Sequence, residues 1–184
     1  MLDFEPELLT SKYASSNARY YSISDYHELY KSGKTTPLKV VETLLSLTTG
    51  SGKYSDAWAD AHGAEKLALE AAKASTERWA AGNPIGVLDG VPIGVKDDTD
   101  VEGYINHTGM KYNSSLACFA VKKESLWPVK KLQEAGAVVL GKNKMHELGS
   151  GTVYHFTLLN KVSRRIILTN LHRYKRLKRN IACP

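Results

Sequence analysis

Apolar and polar positions follow a helical period over the first eighty residues and then switch to short apolar runs, and that switch organises the chain. In SISDYHELYKSGK, Ser22 or Ser24 is placed to cap a short helix and Gly33 to end it as a left-handed residue. TTPLKVVETLLSLTTGSG repeats the pattern: Thr36 caps, Pro37 takes the first helical position, and Val40, Val41, Leu44, Leu45 and Leu47 form an apolar stripe. Residues 48–56, TTGSGKYSD, read as a turn-rich, mobile loop.

The strongest helix signal is AEKLALEAAKASTERWAAGN, rich in Ala, Leu, Glu and Lys, with Gly82 and Pro84 as stops. In GVPIGVK the run of Val91, Ile93 and Val95 is too short for a helix and predicts a buried strand. ESLWPVKKLQEAGAVVLGK then predicts a helix closed by Gly136 and a second strand from Ala137 to Leu140. Strand, helix, strand in that order predicts an α/β unit.

After about residue 152 the pattern dissolves. VYHFTLLNKVSRRIILTNLHRYKRLKRNIACP has no glycine and no acid, and its apolar and basic residues settle into no single period. The expected organisation is an arm over residues 1–20, a folded part over 21–151 and a basic tail over 152–184.

Charge sharpens that division. The net +6 of the 184 residues is not spread evenly: residues 1–150 carry 17 Lys+Arg against all 19 Asp+Glu, a net −2, whereas residues 151–184 carry 8 Lys+Arg and no acid. Apolar content of 42% and charged content of 24% are ordinary for a globular domain and exclude a collagen-like or wholly disordered chain. Cys118 and Cys183 are the two cysteines, far apart and in no metal or disulfide pattern, which points to a reducing setting. MLDFEPELLTSKYASS lacks the basic start and apolar stretch of a signal peptide, and no run of about 18 apolar residues occurs. The expectation is a soluble, intracellular, cytoplasmic protein with no membrane partner.

Several chemistries fall away on inspection. GAVVLGKN nearly fits the phosphate-loop pattern, but Ala-Val-Val-Leu is a strand rather than a flexible cradle, and position 143 is Asn where a magnesium-holding hydroxyl belongs. His146 and Glu147 have no second histidine four residues from the first, so no zinc-protease helix forms. No G-x-S-x-G elbow is present.

Lys96 remains. A lysine at a strand end is most simply a solvated residue paired with Asp97 or Asp98. Its setting is less anonymous: GVPIGVKD followed by VEG resembles the signature of the amidase-signature family, typically G-V-P-I-x-V-K-D and then V-x-G. HTGMKYN and ESLWPVKKLQEAGAVVLGKNKMHELG extend the resemblance over roughly residues 20–150, toward fungal and bacterial amidases and the glutamyl-tRNA amidotransferase A-type chains.

That resemblance implies the N-terminal portion of an α/β fold, a mixed β-sheet flanked by helices and incomplete here. It implies amide-bond hydrolysis by a Ser-cis-Ser-Lys triad, with Lys96 in the place of the catalytic lysine, a small amide as substrate, and no metal or organic cofactor. Burial at the end of an apolar strand would keep such an amine uncharged by desolvation, with Asp97 turned to the opposite side. The resemblance also places Met145, His146 and Glu147 in part of the substrate-side wall, although ordinary loop packing accounts for each. Glycines 86, 90, 94 and 103 are read as turn and close-approach residues.

The family's Gly/Ser-rich stretch, close to G-G-S-S-G-G-S, is not in the sequence. Ser150 belongs to the preceding loop, and Ser163 in KVSRRI has neighbours too bulky for an oxyanion turn. The expectation is therefore a truncated, inactive member. The alternative is a non-catalytic fragment, binding nucleic acid through HRYKRLKR or a full-length relative through an open sheet edge.

Overall fold

The computed structural model of the chain describes residues 21–149. The expected arm and basic tail, with Ser150, Ser163 and Cys183, lie outside the described residues.

Helix α1, Ile23–Lys31, starts where the Ser22 hydroxyl accepts the Asp25 N–H while the Asp25 carboxylate accepts the Ser22 N–H at 2.8 Å, a reciprocal capping box. Beyond Ser32, Gly33 takes φ +71°, as a left-handed stop requires. Helix α2, Pro37–Thr48, is capped by Thr36, whose hydroxyl accepts the Lys39 N–H, and buries Val40, Val41 and Leu45. The loop that follows is tied down: Tyr54 N–H donates to the Leu47 carbonyl at 2.8 Å, and a Cβ on Gly52 would lie 2.5 Å from that same carbonyl group. A 3-10 turn, Ser55–Ala57, leads toward helix α3, Glu65–Ala80.

Strand β1, Pro92–Lys96, and strand β2, Val138–Asn143, form a two-stranded parallel sheet, with helix α4, Trp127–Glu134, in the connection between them. The second strand runs three residues past the expected end at Leu140, because Lys142 and Asn143 continue the pairing to Val95 and Lys96. The register slips between Ile93 and Gly94: Ile93 opposes Val139, but Gly94 opposes Gly141, so Leu140 is an extra residue on β2.

Successive strand residues supply different clusters. Val138 and Leu140 pack with Val41 and Leu45 of α2 and Ala68 and Ala72 of α3. Val139 packs with Val95, Val101, Tyr104 and Val129. Each fully buried Val or Leu contributes about 1.5–3 kcal/mol, so these contacts, rather than helix propensity, hold the short elements in place.

A polar knot joins α3 to the approach of β1. Asp89 is fully buried and accepts Ser75 Oγ at 2.7 Å, Arg78 Nε at 2.9 Å, Arg78 Nη2 at 2.6 Å and the Ile85 N–H at 3.0 Å. Gly136, at φ +96°, lies against it, where an added Cβ would be 2.6 Å from the Asp89 Cα. Among the described residues no helix is long and apolar enough to cross a membrane.

Candidate active site

Lys96 is the last residue of β1, opposite Asn143 of β2. The Asp97 N–H reaches the Asn143 carbonyl at 3.1 Å, and the chain then turns, with the Thr99 N–H donating to the Lys96 carbonyl at 3.0 Å. The Lys96 side chain is 60% exposed, and its Nζ donates to Asp98 Oδ2 at 2.8 Å. That hydrogen bond from Lys96 holds the Asp98 carboxyl below the usual carboxylate range, against a smaller opposing effect of burial.

The burial expected for the Lys96 amine is therefore not met among the described residues. The strand is apolar only as far as Val95; Lys96 emerges beyond that cover and meets a carboxylate rather than a serine hydroxyl. The companion expectation for Asp97 agrees with the geometry, since it is 1% exposed and turned inward, accepting the His107 N–H at 3.0 Å and the Gly109 N–H at 3.3 Å. Two adjacent aspartates thus divide the work, Asp98 with the amine in solvent and Asp97 with the loop beneath.

The buried amine is Lys142. Its side chain is almost wholly enclosed, and Nζ donates to the Thr99 carbonyl and to Asn106 Oδ1, each at 2.5 Å. Asn106 in turn donates from Nδ2 to Asp100 Oδ1. Burial lowers the Lys142 pKa, while Asp97, Asp100 and Asp98 work in the opposite direction.

Around this polar turn the backbone is fitted closely. Gly94 and Gly141, opposite one another in the register, lie under the Trp58 indole; a Cβ on Gly94 would be 2.9 Å from the ring. Trp58 belongs to a segment that borders β2, with the Ala59 N–H on the Lys142 carbonyl and the Lys144 N–H on the Ala57 carbonyl. The glycines read as turn and close-approach residues serve both roles: Gly90 and Gly103 take φ +81° and also lie against Pro37 and Leu67, whereas Gly94 and Gly86 admit neighbouring atoms without a left-handed backbone.

His62 and His107 bring their Nε2 atoms to 3.0 Å, one donating and the other accepting, within a ring cluster that includes Tyr112 and Phe119. Among the described residues no group of three or more His, Cys, Asp or Glu could hold a metal ion. Met145, His146 and Glu147 follow β2, with the His146 carbonyl group 2.5–2.6 Å from where a Gly109 Cβ would stand. The Leu148 N–H closes that loop on the Thr108 carbonyl at 2.8 Å.

Sequence reasoning does not single out Lys142, Asn106 and the inward Asp97 as partners of this turn. The one signal for Lys142 is a lysine two residues past an apolar strand core, masked by its resemblance to a phosphate loop. His62 and His107 are 45 residues apart and carry no shared motif.

Comparison with known proteins places this geometry. The Amidase family profile matches residues 53–163, which contain Lys96 and both strands. A fatty acid amide hydrolase of Arabidopsis thaliana is 38% identical over 139 residues, covering 74% of this chain and 22% of that protein. The A-type chain of the mitochondrial glutamyl-tRNA(Gln) amidotransferase of Ixodes scapularis is 36% identical over 125 residues, covering 67% and 23% respectively. Among solved structures, an amidase crystal structure aligns with a TM-score of 0.58 at 32% identity, over 71% of this chain and 28% of the other. A peptide amidase from Stenotrophomonas maltophilia aligns with the same TM-score at 22% identity, over 73% of this chain and 26% of the other, and speaks for the fold alone. The chain spans about a fifth of the length of the curated relatives it matches.

Proposed function

This chain belongs to the amidase family, and from that premise we propose that it carries the lysine of an amide-hydrolysing Ser-cis-Ser-Lys site, at Lys96, without turning over amides by itself. The observation that carries the reading is the position of Lys96 at the open end of β1, its amine directed out of the described core, inside the stretch that matches the family.

In the completed site an uncharged Lys96 amine takes a proton from the middle serine, which takes one from the nucleophilic serine as that oxygen attacks the amide carbonyl. The tetrahedral intermediate collapses with loss of the amine, protonated through the same relay, and water then releases the acyl group by the reverse path. In the described residues the Lys96 amine is held by Asp98 and faces solvent. Function requires a covering segment that displaces water from Lys96 and supplies the two hydroxyls.

The substrate class stays at the amide bond. The fatty acid amide hydrolases and the amidotransferase chains have different names, and the described residues around Lys96 include no feature that selects between them. The test is an assay of the 184-residue chain over simple alkyl, aryl and fatty acyl amides, with the expectation of no turnover above background. Turnover lost on Lys96→Ala would refute the inactivity, and turnover that survives Lys96→Ala would refute the role of Lys96.

One observation favours a second reading. The net +8 of residues 151–184 suits a polyanion, and retention on immobilised nucleic acid that falls steeply with salt, and vanishes for a chain with the basic residues of HRYKRLKR replaced, would support it.

A further inference from the structure

A lysine inside a short strand needs a reason. Placing an ammonium where a Val or Leu would fit costs several kcal/mol unless it is hydrogen-bonded and faces opposite charge. Lys142 is 2% exposed, and two of its three ammonium hydrogens go to the Thr99 carbonyl and Asn106 Oδ1. Both belong to the segment that begins at Lys96. Thr99 closes the turn by donating to the Lys96 carbonyl, and its hydroxyl donates to Asp98 Oδ1 at 3.3 Å, while the other oxygen of Asp98 holds the Lys96 amine. A continuous set of bonds therefore runs from the buried amine on β2 through Thr99 and Asp98 to the exposed amine on β1.

We propose that Lys142 is a positioning residue for Lys96: its ammonium, fixed between the Thr99 carbonyl and the Asn106 side chain, pins the turn over residues 96–99 and thereby sets where the Lys96 amine is held. Lys142 does not touch substrate in this scheme. It acts through Asp98, the residue that aims Lys96, and lies near the buried carboxylate of Asp97 and the half-exposed carboxylate of Asp100, whose charge it offsets. A methionine of similar length would leave the Thr99 carbonyl and Asn106 Oδ1 as buried acceptors without a donor, and the turn would relax to hydrate them.

The inference rests on reading Lys96 as the site's lysine, but it concerns the orientation of an amine and is measured without hydrolysis. The 184-residue chain is labelled with limiting acetic anhydride, and acetylation of Lys96 is quantified by mass spectrometry against the exposed Lys73 and Lys111. Lys142→Met is expected to raise relative labelling of Lys96 by about threefold, as is Asp98→Asn, which removes the partner directly. The double variant should show no more than either single change, because both break one set of bonds. A Lys96 rate unchanged in Lys142→Met, or effects of the two substitutions that multiply, would overturn the proposal.

A purely structural role for Lys142 would lower the melting temperature without singling out Lys96 in the folded protein. If Lys142→Met does not fold, Asn106→Ala keeps the ammonium and its Thr99 bond and should give a smaller rise at Lys96; no rise there overturns the proposal. Failure in this labelling experiment leaves the assignment of Lys96 intact, whereas amide turnover that survives Lys96→Ala removes that assignment and leaves the labelling result standing.

Discussion

Replacing Asp89 with asparagine should be the most damaging near-isosteric change in the described fold. Asp89 has no exposed surface and collects four hydrogen bonds, two of them from Arg78. Asparagine keeps one acceptor for Ser75 or Arg78 but turns an NH₂ toward donors, so the Ile85 N–H or a guanidinium N–H is left facing another donor. Removing one partner of a buried ion pair costs about 3–5 kcal/mol. Arg78 retains 30% side-chain exposure and can recover some hydration, which places the expected loss near the lower end, about 3 kcal/mol. For a domain of this size that is a fall in melting temperature of roughly 10 °C.

Chemical and thermal denaturation followed by circular dichroism measure both quantities. The pH dependence supplies a second check. Burial on its own would raise the Asp89 pKa, but the Arg78 and Ser75 hydrogen bonds and the Ile85 N–H hold it below the usual range. A carboxyl lowered in this way stabilises the fold fully above its unfolded value, about 3.9, and the contribution is lost as pH falls through the lower folded value. The acid limb of the stability curve should therefore be shallower in Asp89→Asn than in the parent. A loss under about 1 kcal/mol, or an unchanged acid limb, would show that the knot is hydrated and the reasoning wrong.

Three further outcomes follow from the same geometry. Lys96→Ala should leave the melting temperature within about 3 °C, since an exposed pair contributes at most about 1 kcal/mol. The Asp98 carboxyl should rise toward its ordinary range when titrated by NMR in that variant, and a failure to rise would deny the pairing. Gly136→Ala should destabilise by at least about 2 kcal/mol, because the new methyl meets Asp89 in a left-handed backbone; urea midpoints test this, and a neutral result would contradict the close approach.

Local signals carry most of the architecture. Caps at Ser22 and Thr36, stops at Gly33, Gly82 and Gly136, and the short Val/Ile runs mark both strands and the helices before and between them, because each depends on neighbours within a few residues. Burial at the site is harder to read. For Lys96, an apolar strand preceding it suggests cover that would have to come from other chain segments, and no local pattern reports whether they are present. For Lys142, strict alternation on β2 would group it with Val138 and Leu140, whereas the slip at Leu140 sets it opposite Val95. The His62 and His107 contact, like the Asp97 grip on the loop at His107 and Gly109, depends on tertiary approach between distant segments.

The extra residue at Leu140 makes strand length a chemical variable. Removing Leu140 would restore uniform alternation with Lys142 still opposite Val95, so the ammonium would keep its face while Val41, Leu45, Ala68 and Ala72 would lose the side chain packed on them. Length variation at this point in related chains should therefore be accompanied by a change in the residues packed on Leu140 rather than in those that receive the lysine. A conservative substitution can be absorbed there more easily than a single-codon deletion.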